Sequence, residues 1–191
     1  MPGGKLSLPE SERLVLREWR EKDWPFFAAM NANPQVMRFF PGVMTDKDSL
    51  SMWNRMREEL DERGYGLYAV ELKHSGSLIG LLGFHWADFE ADFTPCVEIG
   101  WRLVPVETVE AWGYGYATEG ARACLKHGFA RFGFDRVYSF TACVNFPSQA
   151  VMQRVGMRKI AEFNHPKVAP DSILYPHVLY VKDTFRKIER E

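Results

Sequence analysis

Residues 97–104, Val97-Glu98-Ile99-Gly100-Trp101-Arg102-Leu103-Val104, are followed after a connection by residues 112–121, Trp112-Gly113-Tyr114-Gly115-Tyr116-Ala117-Thr118-Glu119-Gly120-Ala121. The first run reads as a strand with Val97, Ile99, Trp101 and Leu103 on one face and Glu98, Gly100 and Arg102 on the other. The second is a glycine-spaced turn feeding a helix predicted over about 117–132, with Ala117, Ala121, Leu125, Phe129 and Phe132 along one stripe. A strand over 136–143 comes next. Strand, helix and strand in this order make a crossover, the connection that joins parallel neighbours.

The rest of the chain supplies antiparallel partners. Residues 13–19 (RLVLREW) alternate like a strand, and residues 67–73 and 78–86 are two strands joined by His74-Ser75-Gly76-Ser77, a hairpin signature. Between them lie two helices. One has Asp23 as its expected N-cap and ends before Asn33-Pro34. The other is capped by Thr45 and Asp48, carries Leu50, Trp53, Met56 and Leu60 at spacings of three and four, and stops at Gly64. A short helix over 148–155, a strand near 158–163, a Pro-containing loop over 164–176 and a last strand near 178–183 close the chain. The fold class is therefore α/β: a mixed, mostly antiparallel central sheet with one β-α-β crossover and flanking helices. At 191 residues with 46% hydrophobic content, one domain over 13–191 behind a flexible lead-in of 1–12 is the expected organisation.

Charge and cysteine content narrow the function classes. Twenty-four Lys and Arg against 25 Asp and Glu give a net charge of −1, so no global field gathers nucleic acid or an anionic membrane, and an anionic ligand must be held locally. Cys96, Cys124 and Cys143 form no C-x-x-C pair, which points to a reducing, cytoplasmic setting. No run reaches the ~18–20 apolar residues that span a bilayer. His74, His85, His127, His165 and His177 lack metal-ligand spacing, so no metal is expected.

The turn at 113–117 carries the chemistry. A helix N-terminus exposes unpaired N–H groups and partial positive charge, and glycines admit a phosphate close to the backbone. Three readings compete: a dinucleotide fingerprint, whose third glycine position is here Thr118; a capped turn with no ligand; and a pyrophosphate cradle for an acyl-CoA.

Residues 97–104, 112–121 and 145–157 (NFPSQAVMQRVGM) together resemble, in register, motifs of the GNAT family of N-acetyltransferases. The pairing of Glu-Ile-Gly-Trp with Trp-Gly-x-Gly-Tyr-Ala-Thr-Glu is similar to the branch that holds the ribosomal-protein Ala and Ser N-terminal acetyltransferases. The resemblance spans about 13–183. It implies acetyl-CoA as donor, with backbone groups around Trp101, Arg102 and Leu103 pairing with pantetheine. It likewise implies main-chain N–H groups of Trp112, Gly113, Tyr114, Gly115, Tyr116 and Ala117 around the pyrophosphate, and Asn145 and Ser148 beside the pantetheine and adenosine. The other reading of Asn145 is an end-of-strand turn residue or helix cap, and that of Ser148 a first-turn helix residue. The family commonly has Gln or Arg at the position of Trp112 and a base at that of Tyr114, so backbone donors should carry more of the binding here. The connection 105–111 is about four residues longer than in that branch, and Met152 stands where relatives often have a tyrosine general acid.

The implied reaction is attack of a neutral amine on a thioester. An α-amine of pKa ~7.7–8.0 is roughly 10–20% neutral at pH 7, against about 0.04% for a lysine amine, so a weak base suffices for a protein or peptide N-terminus. Glu98 is the expected base, and the other reading is a surface or ion-paired strand residue. Phe39, His85, Trp86 and Tyr175 are expected near the acceptor. A small amine such as a polyamine, aminoglycoside or amino-acid derivative is the rival acceptor, and a non-catalytic acyl-CoA-binding module the rival class. A homodimer is a possible assembly.

Overall fold

The computed structural model describes residues 7–105 and 112–184. Seven strands form one sheet: β1 (Leu14–Arg17), β2 (Leu67–Leu72), β3 (Leu78–Ala87), β4 (Cys96–Leu103), β5 (Arg136–Ala142), β6 (Arg158–Asn164) and β7 (Pro176–Asp183). Their spatial order is β1-β2-β3-β4-β5-β7-β6, antiparallel throughout except for the parallel β4–β5 pair. The helices are α1 (Trp24–Ala32), α2 (Asp46–Arg63), α3 (Tyr116–His127), extended by a wider turn over Gly128–Phe132, and α4 (Phe146–Arg154). The mixed sheet with its single crossover matches the sequence expectation; α4 starts two residues earlier than read, with Asn145 as its cap and Ser148 in its first turn.

The alternation in β4 sorts its two faces. Ile99 and Leu103 join the core beneath α3 and α4, with Tyr116, Ala121, Cys124, Leu125 and Met152, and Val97 and Trp101 pack against that core. The opposite face belongs to α1 and α2: Leu81, the register partner of Arg102, lies in a cluster with Trp19, Phe27, Met30, Trp53 and Met56. Glu98, Gly100 and Arg102 therefore look toward α1 and α2.

Local signals succeeded where they depended on near neighbours. Thr45 and Asp48 form the expected reciprocal cap of α2, and Gly64 closes it at φ +73°. Leu50 departs from the apolar stripe and is 48% exposed. Asp23 does not cap α1 with its side chain. Its carboxylate is instead drawn to Arg17, with bonds of 2.6 and 3.1 Å, while Arg17 also reaches Glu71 at 2.5 Å. This buried, fully countered ion group ties β1, β2 and the start of α1 together. The lead-in is seated from residue 7 onward: Ser7 meets His127 through its carbonyl, Pro9 is buried, and Ser11 donates to Glu119. Cys96 and Cys124 are buried and unpaired, and burial pushes the Cys96 thiol up to about 12, which makes it inert. Among the described residues no helix is long and apolar enough to cross a membrane.

The β4–β5 pair is the irregular part of the sheet. β4 is in register with β3 along its whole length from Cys96 to Leu103, yet with β5 it shares the single pair Glu98–Tyr138. Beyond that point the strands diverge. At the apex the buried Ser139 hydroxyl donates to the Ile99 carbonyl at 2.8 Å, replacing a ladder bond. Ser139→Ala should lower unfolding free energy by about 1–2 kcal/mol, because the Ile99 carbonyl loses its partner while buried; a urea midpoint unchanged from wild type would refute that role.

Candidate active site

A cavity of about 1430 Å³ passes through the gap left by the diverging strands, with walls from the α1–α2 side and from α3 and α4. Pockets for one drug-sized ligand run ~300–1,000 Å³, so this space has room for two reactants. A smaller recess of about 140 Å³ adjoins it and shares His85, Glu98, Phe140, His165 and Lys167.

On the α3 side the residues fit a nucleotide pyrophosphate. Gly113 and Gly115 adopt φ +88° and +80°, a left-handed geometry that turns the chain into α3, whose N-cap is Gly115. A side chain at Gly113 would meet nothing within 4 Å, and one at Gly115 only an Arg13 nitrogen at 3.8 Å, so the cradle is open. Cations that local sequence reading did not assign to this turn stand beside it. Arg13 donates to the Tyr114 carbonyl at 3.0 Å, lies 4.6 Å over the Tyr116 ring and pairs with Glu119 at 2.6 Å. Burial opposes charge on Glu119, but hydrogen bonds from Ser11 and Arg13 hold its carboxyl below the ordinary range, so it is already engaged. Arg122, which donates to the Arg154 carbonyl at 2.9 Å, and Arg154 line the same wall.

The remaining expected donor-side residues divide. Trp101, Arg102, Gly113, Gly115, Tyr116, Ala117, Asn145 and Ser148 all line the cavity, and the splay leaves the β5-facing edge of Trp101 and Arg102 outside the ladder. Leu103 and Trp112 also line it, but the Trp112 indole donates to the Leu103 carbonyl at 2.7 Å. That acceptor is thus spent on anchoring the turn. Tyr114 lies outside the lining; its ring is exposed and stacks on Tyr116 at 5.9 Å. Asn145 caps α4 by accepting from the Ser148 N–H at 3.3 Å and donates to Thr141 at 2.8 Å. Its capping reading is therefore realised at the cavity wall. Of the long connection, residues 106–111 lie outside the described residues.

On the α1–α2 side Glu98 sits on the groove floor, paired across the strands with His85. Burial raises its carboxyl from the usual range to about 7; His85 works against the rise and Glu59 adds to it. His85 bonds Glu59 at 2.7 Å, and although burial opposes its charge, that bond and the nearby carboxylates raise its pKa. A side chain at Gly100 would meet only Glu98 Oε1, at 3.8 Å, which leaves the floor beside the carboxyl bare. Phe39 lines the cavity as expected. Trp86 does not: following His85 on an extended strand it faces the other way, with its N–H bound to Glu59 and its ring under Arg63 at 4.6 Å. Tyr175 also falls outside the lining and packs on the Ala142, Val168 and Leu174 cluster. Met152 is buried at 1% exposure in the core, so no hydroxyl replaces the absent tyrosine there.

Fold and groove together define an acyl-CoA N-acyltransferase. The chain belongs to the GNAT acetyltransferase family: the profile described as Acetyltransferase (GNAT) domain matches residues 13–158. It is 31% identical over 150 residues to the uncharacterised N-acetyltransferase YnaD of Bacillus subtilis (strain 168), covering 78% of this chain and 81% of that one. A GNAT-family acetyltransferase structure from Bacillus anthracis superposes with a TM-score of 0.74 at 26% identity, covering 93% and 98% of the two chains. Two CoA complexes share the fold at lower identity. RimL, the ribosomal L7/L12 alpha-N-protein acetyltransferase, gives a TM-score of 0.72 at 18% identity over 92% of this chain and 97% of its own. The spermidine N-acetyltransferase of Vibrio cholerae, also bound to spermine, gives 0.68 at 16% over 90% and 95%. The protein is an acetyl-CoA-dependent acetyltransferase, and the reading as a non-catalytic module is set aside.

Three outcomes test this geometry. In carbon-detected NMR of 13C-labelled glutamates, one carboxyl should titrate near pH 7 and vanish in Glu98→Gln; if every glutamate titrates below pH 5.5, the floor is not desolvating it. Because the folded pKa is raised, the fold holds a proton that the unfolded chain has released, so wild-type stability falls as pH rises from about 4.5 to 7. The thermal midpoint of Glu98→Gln relative to wild type should therefore be higher at pH 8 than at pH 5. Gly100→Val fills the bare floor without backbone strain, and should cut acceptor turnover at least ~10-fold while the acetyl-CoA thermal shift persists; undiminished turnover would mean the acceptor lies elsewhere.

Proposed function

We propose that the protein acetylates the N-terminal amine of a protein or peptide, with Glu98 as the base. The observation that carries this is the Glu98 carboxyl at about 7 on the open floor beside the strand gap. A proton passing from an α-ammonium of pKa ~8 to such a base climbs about 1.4 kcal/mol, whereas one from an alkylammonium near 10.4 climbs about 4.6 kcal/mol. The wall charges support the same choice. With Arg13, Arg122 and Arg154 on the donor side, Arg38, Arg102 and Lys167 remain in the lining with Glu98, a poor setting for a polycationic amine. RimL, named for an alpha-N-protein acceptor, and a spermidine enzyme are both fold neighbours, so support for the peptide acceptor comes from the charge pattern and not from the fold.

In this mechanism acetyl-CoA supplies, when bound, a thioester carbonyl open to a neutral amine. The N–H groups opening α3 bind the pyrophosphate, joined by Arg13, Arg122 and Arg154. The edge of Trp101 and Arg102 pairs with the amide arm, and Asn145 and Ser148 flank it. Glu98 takes the amine proton, and the Glu59–His85 pair fixes the charge beside it. The departing thiolate resembles a thiol of pKa ~8.5 and needs little help from an acid near pH 8, which fits the loss of the tyrosine at Met152.

Initial rates on free-amine tetrapeptides and on spermidine decide the acceptor. Peptides should turn over with the higher kcat/KM, and Glu98→Gln should reduce it roughly 10²-fold. Spermidine outpacing every peptide would sink the acceptor assignment. For the donor site, acetyl-CoA at 100-fold its Kd adds ~2.7 kcal/mol and should raise the wild-type midpoint by roughly 5–10 °C. Gly115→Val, forced into a left-handed backbone, should lose most of that shift.

A further inference from the structure

Arg102 is the odd charge in the groove. It is 9% exposed, projects from the same face of β4 as Glu98, and lines the cavity. Its Nη1 donates to the side-chain Oδ1 of Asn31 and lies 3.9 Å from the Met52 sulfur, and its guanidinium sits 4.3 Å over the Phe40 ring. Asn31 is held in turn by Ser49 at 3.4 Å. Its Nε has no hydrogen-bond partner, and no carboxylate pairs with it among the described residues. Burial depresses its pKa, to about 10, and no anion among the described residues offsets that cost. The contrast with Arg17 is direct: that arginine is as deeply buried but faces both Asp23 and Glu71. Leaving a guanidinium buried without a counter-charge is unfavourable unless something supplies one. Arg38 stands on the same wall, over the Phe39 and Trp112 rings at 4.8 and 5.0 Å, again without an acidic partner among the described residues.

We infer that Arg102, seconded by Arg38, is a specificity subsite for a carboxylate carried by the acceptor, at a fixed span from the amine that Glu98 deprotonates. The inference rests on the reading of Glu98 as the amine end of the groove. Residues 98 and 102 are four apart on one strand, roughly 13 Å between Cα atoms, and bare Gly100 lies between them. With both side chains reaching inward, amine and carboxylate must be about 7–10 Å apart. That is the separation of the N-terminal nitrogen from the side-chain carboxylate of residue 3 in an extended peptide at ~3.3–3.6 Å per residue. The acceptor class is thus an N-terminus with Asp or Glu at its third position, or a small amine with a carboxylate at that span.

The test compares paired acceptors that differ only in that charge. Ser-Ala-Asp-Ala amide is set against Ser-Ala-Asn-Ala amide, and 7-aminoheptanoate against its primary amide, in wild type and Arg102→Met, with circular dichroism and the acetyl-CoA thermal shift as checks on folding. The wild type should favour the acid of each reactive pair by at least ~10-fold in kcat/KM, and Arg102→Met should bring the ratio near one. A merely structural arginine would lower acid and amide alike and leave the ratio unchanged, which overturns the inference. A wild-type ratio near one overturns it too, and needs no variant to fold. If neither peptide reacts but 7-aminoheptanoate is favoured over its amide, the peptide assignment fails and the carboxylate subsite stands.

Discussion

The divergence of β4 from β5 is the constraint on which the rest of the molecule depends. A continuous parallel ladder would seal the sheet and leave neither an edge for an amide arm nor a passage between its two faces. Here β4 keeps its whole ladder with β3 and surrenders that with β5 after one register pair. The exposed backbone groups of a broken ladder carry a desolvation cost wherever water cannot reach them. It is limited at the apex, where Ser139 supplies the missing donor to Ile99, and met farther out by a cavity large enough to hold two reactants. Both helices that flank the opening begin at caps set by short-range sequence, Gly115 for α3 and Asn145 for α4.

What the groove does with charge follows from where its cover comes from. Arg17 and Asp23, both 5% exposed, are paired in charge and serve the fold. Glu98 and Arg102 are also withdrawn from water but carry no such match; burial pushes the first toward its neutral form and weakens the proton affinity of the second. Among the described residues neither has an ion-pair partner, and the two groups of opposite sign, on one strand face with a glycine between them, form a dipolar floor. Such a floor is unfavourable in isolation and becomes favourable when a zwitterionic partner lies along it.

The sequence disclosed what depends on neighbours a few residues away. The alternation of β4 separated Ile99 and Leu103 from Glu98 and Arg102; the Thr45–Asp48 cap and the Gly113–Gly115 turn were legible from spacing alone. What it concealed depends on distance along the chain. Arg13 meets the turn across about a hundred residues, and its partner Glu119 reads locally as an ordinary first-turn acid. Asp23 reads as a cap because Asp before a helix usually is one, and only Arg17 packed against it reveals the other use. Trp86 was misplaced by a rule that was available: adjacent strand residues face opposite ways, so His85 and Trp86 could not both line one cleft. Arg102 was read for its backbone, since nothing local announces that its side chain would be buried against Asn31 and Phe40.

The basicity of Glu98 and the chemistry of its partner are one question. A carboxylate in water, near 4.3, would face a climb of about 5 kcal/mol to accept a proton from an α-ammonium of pKa ~8, and desolvation to about 7 removes most of that climb. Complete burial would remove more but would also close the floor against the amine. In the proposed reading the half-buried position beside Gly100 is a compromise: enough apolar cover from the α1–α2 side to raise the pKa, and enough bare strand for an amine to approach. The same cover buries Arg102, so the raised carboxyl and the withdrawn guanidinium, on which the proposed acceptor selection rests, follow from one packing arrangement.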